Sequence, residues 1–179
     1  RTGRPLIIDL YAAAILAATE NKNIPQSDWP GIHLYLPKLQ AIQVKRNEWF
    51  PLLKQHSANR IYQEQLNEIG RNAVILFRPL MRPDLDEAGC LDQASYIYSQ
   101  WAGYLEQGIY ASTEEWLNTL GIEMRHIHTS GHASPKDLKR FAEALSPRAL
   151  IPIHSFGTEK YGELFSNVVY RQDGEWWEV

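Results

Sequence analysis

The sequence is poor in cysteine, with Cys90 as the one example in 179 residues. A single cysteine excludes an intramolecular disulfide, so the fold must depend on a buried core, which a chain of this length can form. Chains without disulfides are typical of reducing compartments, and we therefore expect a cytoplasmic protein.

Long hydrophobic runs are also absent. The longest apolar-rich segment, LYAAAILAA at residues 10–18, falls short of the roughly 20 residues that a transmembrane helix needs. The first residues, RTGRPLIID, contain neither an initiating Met nor the apolar core of a signal peptide. We expect no membrane segment, and this beginning indicates a fragment that enters in the middle of a domain.

The chain has no strong excess of charge of either sign, with a formal net charge of −3. At whole-chain level this balance does not indicate a nucleic-acid partner, although it leaves room for a local basic groove. Hydrophobic residues make up 44% and charged residues 22%, which is ordinary for one large or two small globular domains.

Apolar runs alternate with helical patterns along the chain, and internal repeats are absent. The predicted strands are residues 5–9, 32–37, 72–79, 94–99, 123–129 and 148–154. The predicted helices are residues 10–21, 47–69, 114–121 and 135–145. This alternation favours an α/β fold with a mostly parallel sheet and helices on both faces.

Capping residues and turns mark several boundaries of these elements. Ser112 with Glu115 forms a capping-box pattern, and Ser134 followed by Pro135 is typical of a helix start. Residues 81–90 are predicted to be a turn-rich connection, and residues 168–179 a hairpin that turns at Asp173-Gly174.

The segment HIHTSGHAS, residues 126–134, places three histidines within seven positions. His128 lies at the carboxyl end of one predicted strand and His132 in the turn after it, and His154 ends the next strand. Because the carboxyl ends of parallel strands meet at one edge of a sheet, these imidazoles should converge there. Spacing alone leaves two interpretations open: a metal or catalytic site, or histidines that pack and cap turns through hydrogen bonds.

Ser130 and Gly131 precede the predicted start of the helix at residue 135. Backbone N–H groups at such a position attract negative charge, and the helix dipole acts in the same direction. We expect this short segment to bind an oxyanion or a phosphate.

Residues 128–156, HTSGHASPKDLKRFAEALSPRALIPIHSF, resemble the C-terminal signature of metallo-β-lactamase-fold hydrolases of the β-CASP group. This group includes ribonuclease J-like enzymes and the metal-dependent endonuclease of pre-mRNA 3′-end processing. The shared pattern is H-x-S-G-H-A, a helix, and then P-x-x-x-I-P-x-H. The segments RPLIIDLYAA, ILFRP and SQWAGYL resemble parts of the β-CASP insert more weakly.

The resemblance implies a division of the chain and a role for several residues. Residues 1–122 would form a β-CASP-like α/β domain, and residues 123–179 the C-terminal strands and helices of a metallo-β-lactamase-like domain. It implies a catalytic role for His132 in proton delivery, and zinc ligation by His154. Phosphate binding would fall to His128, Ser130 and Gly131.

The family's H-x-H-x-D-H motif does not occur in this sequence. The resemblance implies two zinc ions in the intact enzyme, so we expect this chain to be an inactive fragment whose partner is the missing N-terminal half. The implied substrate is RNA or another phosphodiester. A hydrolase of a non-nucleic substrate and a non-catalytic nucleic-acid-binding module remain alternatives, and a homodimer remains open.

Two further residues are candidates with a structural alternative. Asp9 ends a predicted strand, where it could be a ligand or the N-cap of the following helix. His126 matches no functional position of the family, and we interpret it as structural.

Basic and aromatic residues outside the histidine segment also have two interpretations. Trp101 and Tyr104 could stack on bases or pack in the core. The basic residues could line an RNA groove or form a solvated surface shared with nearby glutamates. They are Lys38, Lys45, Arg46, Lys54 and Arg60.

Overall fold

The computed structural model describes residues 2–128, 131, 133–153, 155 and 157–178. Contacts divide the chain into two compact units. The first contains the residues up to Tyr98 together with Ala102–His126, and the second contains Ser99–Trp101 and the residues from Ile127 onward. In the described part of the chain, none of the helices combines the length and the apolar character needed to cross a bilayer.

A four-stranded parallel sheet organises the first unit. Its strands are β1 (Leu6–Ile8), β2 (Ile32–Tyr35), β3 (Arg60–Ile61) and β4 (Val74–Ile75), in the spatial order β3-β2-β1-β4. Leu6 pairs with Ile32 on one side and with Val74 on the other, and every pairing is parallel. A separate parallel pair consists of β5 (Tyr96–Tyr98) and β6 (Met124–His126).

Helices connect these strands. The first unit contains α1 (Leu10–Ala18), α2 (Lys38–Arg46), α3 (Phe50–Gln55), α4 (Gln63–Gly70), α5 (Arg82–Ala88), α6 (Gly103–Glu106) and α7 (Ala111–Thr119). The second unit contains α8 (Pro135–Leu145) and α9 (Tyr161–Leu164). Short 3-10 turns lie at Pro79–Met81 and Thr158–Lys160.

Two hydrophobic clusters cover the two faces of the four-stranded sheet. Adjacent strand residues belong to different clusters, as the two-residue period of a strand requires: Ile7 and Tyr35 to one, Ile8 and Leu34 to the other. The first cluster also includes residues of α4 and α5, and the second includes residues of α1 and α2. The α/β architecture with helices on both faces is therefore confirmed.

The segment predicted as one helix over residues 47–69 is interrupted, so that prediction is wrong. Helix α3 ends at Gln55 and α4 begins at Gln63, with strand β3 between them. Ile61 in this strand is buried, and the backbone N–H of Leu34 in β2 donates to the carbonyl of Asn59 at 3.2 Å. Pairing with β2 and burial of Ile61 outweigh the local helical preference.

Three other local predictions are wrong. Residues 82–88 form helix α5 instead of a turn-rich connection, because Leu85 and Ala88 bury one face and Gly89 ends the helix at a φ of +57°. The capping box at Ser112 does not form, since α7 already begins at Ala111. The predicted buried strand over 72–79 is reduced to β4 at the sheet edge, where Val74 is 47% exposed.

The second unit confirms the predicted start of its main helix. Ser134 is the N-cap of α8, its Oγ accepts a hydrogen bond from the Asp137 backbone N–H at 3.2 Å, and Pro135 takes the first helical position. The predicted strand over 148–154 is reduced to a parallel bridge between Leu150 and Val168.

The predicted hairpin over residues 168–179 is confirmed only at its turn. Gly174 has a φ of +81°, and the Arg171 guanidinium donates to the Glu175 carboxylate at 2.7 Å across the turn. Among the described residues no paired strands flank it, so the ladder of hydrogen bonds expected for a hairpin is missing there.

Candidate functional site

Three residues of the predicted histidine site lie outside the described residues. They are Ser130, His132 and His154. Their convergence at one edge of a sheet therefore stays a prediction. The neighbouring residues His126, His128, Gly131 and Ser134 are described, and they define the surroundings of the segment.

His128 is an exposed histidine held by the backbone of its own unit. Its Nδ1 lies 2.8 Å from the carbonyl oxygen of Ser99. Because a carbonyl oxygen only accepts hydrogen bonds, this contact assigns the proton to Nδ1, and in the neutral ring Nε2 then carries the lone pair. The contact fixes the orientation of the ring and, for the neutral ring, its tautomer.

Gly131 lies in an exposed and open part of the same segment. A Cβ built on it would meet no atom within 4 Å. Packing therefore does not require glycine at this position. Open space around the backbone is compatible with the predicted phosphate contact, which stays a prediction.

The first turn of α8 is hydrogen-bonded to its N-cap residue, Ser134. Besides accepting from the Asp137 N–H, the Ser134 hydroxyl donates to the Asp137 carboxylate at 2.7 Å. Lys136, Lys139 and Arg140 are exposed along the helix, and the Arg140 guanidinium lies 3.5 Å from the Asp137 carboxylate. The first turns of α8 thus present cations to solvent.

His126, Trp101 and Tyr104 are all exposed to a substantial degree. The ring of His126 lies 5.7 Å from that of Tyr98, centroid to centroid, in a tilted arrangement within the first unit. Trp101 is 50% exposed and Tyr104 42%. Core packing of these two aromatic side chains is therefore incomplete.

The basic residues at positions 38–60 occupy different elements. Lys38 forms an ion pair with Glu87. Lys45 and Arg46 lie in the last turn of α2, where cations complement the helix dipole. Arg60 stacks on the ring of Tyr62 at 4.8 Å. Each of these positions has a local structural partner or role.

A second polar centre, not predicted as such, surrounds Asp9. Asp9 is fully buried, and its Oδ1 accepts from the Ala12 N–H at 2.8 Å, which confirms the N-cap interpretation. Gln40 Nε2 donates to Asp9 Oδ2 at 3.2 Å, while Gln40 Oε1 accepts from the Leu10 N–H at 3.0 Å. These hydrogen bonds link the end of β1 to α1 and α2.

Arg78 completes this centre from the end of β4. Its Nε lies 3.3 Å from Asp9 Oδ2, and its guanidinium carbon lies 4.3 Å from the centroid of the Tyr11 ring. The side chain of Arg78 is 38% exposed and Tyr11 is 55% exposed. We call these four residues, Asp9, Tyr11, Gln40 and Arg78, the switch-point cluster.

The cluster lies where the strand order of the sheet reverses direction. The chain runs from the central strand β1 outward to β2 and β3, then crosses to the other side of β1 to form β4. Open parallel sheets bind ligands at the carboxyl ends of the two strands where this reversal occurs. The sequence contains one indication of this cluster: two apolar runs are each followed by a charged residue, and the two charges are opposite. They are Asp9 after PLII and Arg78 after VILF.

A zinc site needs three or four ligands from His, Cys, Asp or Glu. No such group of three comes together within residues 2–128, 131, 133–153, 155 and 157–178. The described residues therefore do not form a zinc site by themselves.

A comparison with protein-family models gives a match over the region that contains the histidine segment. Residues 119–157 match the model of the Zn-dependent metallo-hydrolase RNA specificity domain. This match supports the metallo-β-lactamase superfamily and a metallo-hydrolase lineage. Searches of curated proteins and of solved structures gave no match.

Proposed function

We propose that this chain is part of a zinc-dependent ribonuclease of the β-CASP group and that residues 119–157 bind the backbone of its RNA substrate. The observation that carries the proposal is the match of this segment to an RNA specificity domain. The segment holds four of the six histidines of the chain: His126, His128, His132 and His154.

The charge of the segment supports a polyanionic ligand. Residues 119–157 contain five Lys and Arg residues against three Asp and Glu residues, a net charge of +2 in a chain whose net charge is −3. Three of the five cations lie together in α8, at Lys136, Lys139 and Arg140. Phosphate contacts by such cations supply most of the sequence-independent affinity for nucleic acid.

Within the segment we assign separate roles to the histidines and their neighbours. His128, Ser130 and Gly131 would hold a phosphate, His132 would deliver a proton to the leaving group, and His154 would be a zinc ligand. The Ser99 carbonyl holds the His128 ring in place, so that Nε2 would donate to a phosphate oxygen once the ring is protonated, and the backbone at Gly131 is open. The remaining zinc ligands would come from polypeptide outside these 179 residues.

A salt series of RNA binding tests the proposal. The 179-residue chain is titrated into a fluorescein-labelled single-stranded RNA, and the dissociation constant is measured by anisotropy. For single strands the logarithm of affinity falls with the logarithm of salt concentration by about 0.7 per phosphate contact. The combined variant Lys136→Gln, Lys139→Gln, Arg140→Gln should weaken binding and reduce this slope by between about 0.7 and 2.

The matched control removes three exposed cations elsewhere: Lys45→Gln, Arg46→Gln and Lys54→Gln. This variant changes the net charge equally and should leave the slope unchanged. An equal loss in both variants would mean that binding follows total charge. Absence of RNA binding by the wild-type chain would contradict the proposed function and favour a hydrolase of a non-nucleic substrate.

The roles of the two undescribed histidines are tested in a protein that carries this chain together with an H-x-H-x-D-H half. There, His132→Ala should reduce turnover strongly while the zinc content stays near that of the wild type. His154→Ala should reduce the zinc content measured by mass spectrometry. Full activity and full zinc content in both variants would show that the assignments are wrong.

A further inference from the structure

The geometry of the switch-point cluster points to a second RNA-binding site, in which Arg78 binds a backbone phosphate and the Tyr11 ring stacks on the adjacent base. This inference rests on the proposed function for the identity of the ligand. It goes beyond that function because it concerns residues 9–78, outside the segment that matches the RNA specificity domain.

Arg78 is positioned as phosphate-binding arginines are. Its Nε is buried 3.3 Å from the Asp9 carboxylate, an ion pair that holds the cation at this position without a hydrogen bond. Among the described residues its two terminal nitrogens have no hydrogen-bond acceptor, so they remain available to a ligand. A planar guanidinium with two terminal N–H groups suits the bidentate recognition of phosphate oxygens.

Asp9 itself supports the guanidinium and does not compete for the ligand. Both of its oxygens already have partners, the Ala12 N–H for Oδ1 and the Gln40 amide for Oδ2. The carboxylate is fully buried, whereas the Arg78 side chain is 38% exposed. The exposed part of the pair is therefore the cation.

Tyr11 supplies the stacking surface. One face of the ring lies against the Arg78 guanidinium at 4.3 Å, and yet 55% of the residue remains exposed. Single-stranded nucleic acid is commonly bound by a cation on the backbone beside an aromatic ring on the base. The location agrees with this function, since the pair lies at the carboxyl ends of β1 and β4, where the strand order reverses.

A purely structural cation–π pair is the alternative, and the chain offers a matched control for it. Arg60 lies 4.8 Å above the ring of Tyr62, which is also 55% exposed. This second pair belongs to the edge strand β3 and its connection, and among the described residues Arg60 forms no ion pair with a carboxylate. If any exposed tyrosine beside an arginine contributed to RNA binding, substitution of Tyr11 and of Tyr62 would therefore weaken binding equally.

The test compares single variants in the 179-residue chain by anisotropy with labelled single-stranded RNA across a salt series. Tyr11→Ala should weaken binding by about tenfold, within the range for one stacked base, without changing the salt slope. Arg78→Gln should reduce the slope by about 0.7, the value of one phosphate contact. Tyr11→Phe and Tyr62→Ala should bind like the wild type.

The outcomes of this test separate the second site from the proposed function. Normal RNA binding that Tyr11→Ala and Arg78→Gln leave unaffected would overturn the second site alone, and so would equal losses in Tyr11→Ala and Tyr62→Ala. No RNA binding by the wild type would overturn the proposed function and this site with it. Tyr11 is exposed, so its variants keep the test decisive if Arg78→Gln fails to fold.

Discussion

The guanidinium of Arg78 and the buried carboxylate of Asp9 form an ion pair, with Arg78 Nε 3.3 Å from Asp9 Oδ2. Asp9 follows the central strand β1, and Arg78 follows β4, a two-residue strand at the edge of the sheet. The pair thus links the end of β4 to the central strand β1 at the same point where we propose that RNA binds.

Asp9→Ala should lower the free energy of unfolding of the chain by about 2–3 kcal/mol. About 1 kcal/mol of this loss comes from the N-cap of α1, whose Ala12 N–H loses its acceptor. The remainder comes from the Gln40 amide and the Arg78 guanidinium, which lose a buried partner. Urea denaturation followed by circular dichroism measures the change.

Asp173→Ala is the control for this prediction, because Asp173 is exposed in the turn before Gly174. It should change the free energy of unfolding by less than about 0.5 kcal/mol. Equal effects of the two substitutions would show that the Asp9 centre contributes nothing to the stability of the fold.

The buried pair of Ser27 and His56 should make stability dependent on pH. Ser27 Oγ lies 2.9 Å from His56 Nδ1, and burial lowers the pKa of His56 below its ordinary value of 6.5, with the Asp28 charge acting in the opposite direction. The folded chain therefore binds this proton less readily than the unfolded chain. Its contribution to stability is complete above about pH 6.5 and is lost as the pH falls towards the lowered folded pKa.

His56→Gln isolates this contribution from the other titrating groups. We expect the difference in free energy of unfolding between wild type and variant to shrink as the pH is lowered from about 8 to about 5. Urea denaturation at each pH gives that difference. A constant difference across the range would show that the protonation of His56 is not linked to folding.

The two serines predicted as helix caps should behave differently. Ser134 caps α8 through the Asp137 N–H, whereas Ser112 makes no cap for α7. Ser134→Ala should cost about 1 kcal/mol locally, equivalent to about a fivefold loss of amide-exchange protection in α8. Ser112→Ala should leave the protection of α7 unchanged. Equal losses would contradict the cap assigned to Ser134.

Local patterns in the sequence were sufficient for the parallel α/β fold and for the N-caps Asp9 and Ser134. In each case a short-range pattern determines the structure. The break between α3 and α4 was missed because Ile61 becomes a strand residue only by pairing with β2. The lost cap at Ser112 depends on where the backbone of α7 begins, which spacing alone does not determine.

For the candidate sites too, a local motif could be recognised in the sequence, whereas a contact between distant residues could not. The histidine segment was identified from its motif, and a family model matches the region that contains it. The meeting of Asp9 with Arg78 could not be predicted, because it requires β4 to lie beside β1 and not beside β3. Strand order is a property of the whole sheet, and neither residue carries a local signal for it.

The salt dependence of RNA binding by the unmodified 179-residue chain tests whether the chain contacts the phosphate backbone of RNA. We expect measurable binding to single-stranded RNA at low salt, with the logarithm of affinity falling linearly as the logarithm of salt concentration rises. Binding without any salt dependence, or no binding at low salt, would contradict the claim that this chain contacts the phosphate backbone of RNA.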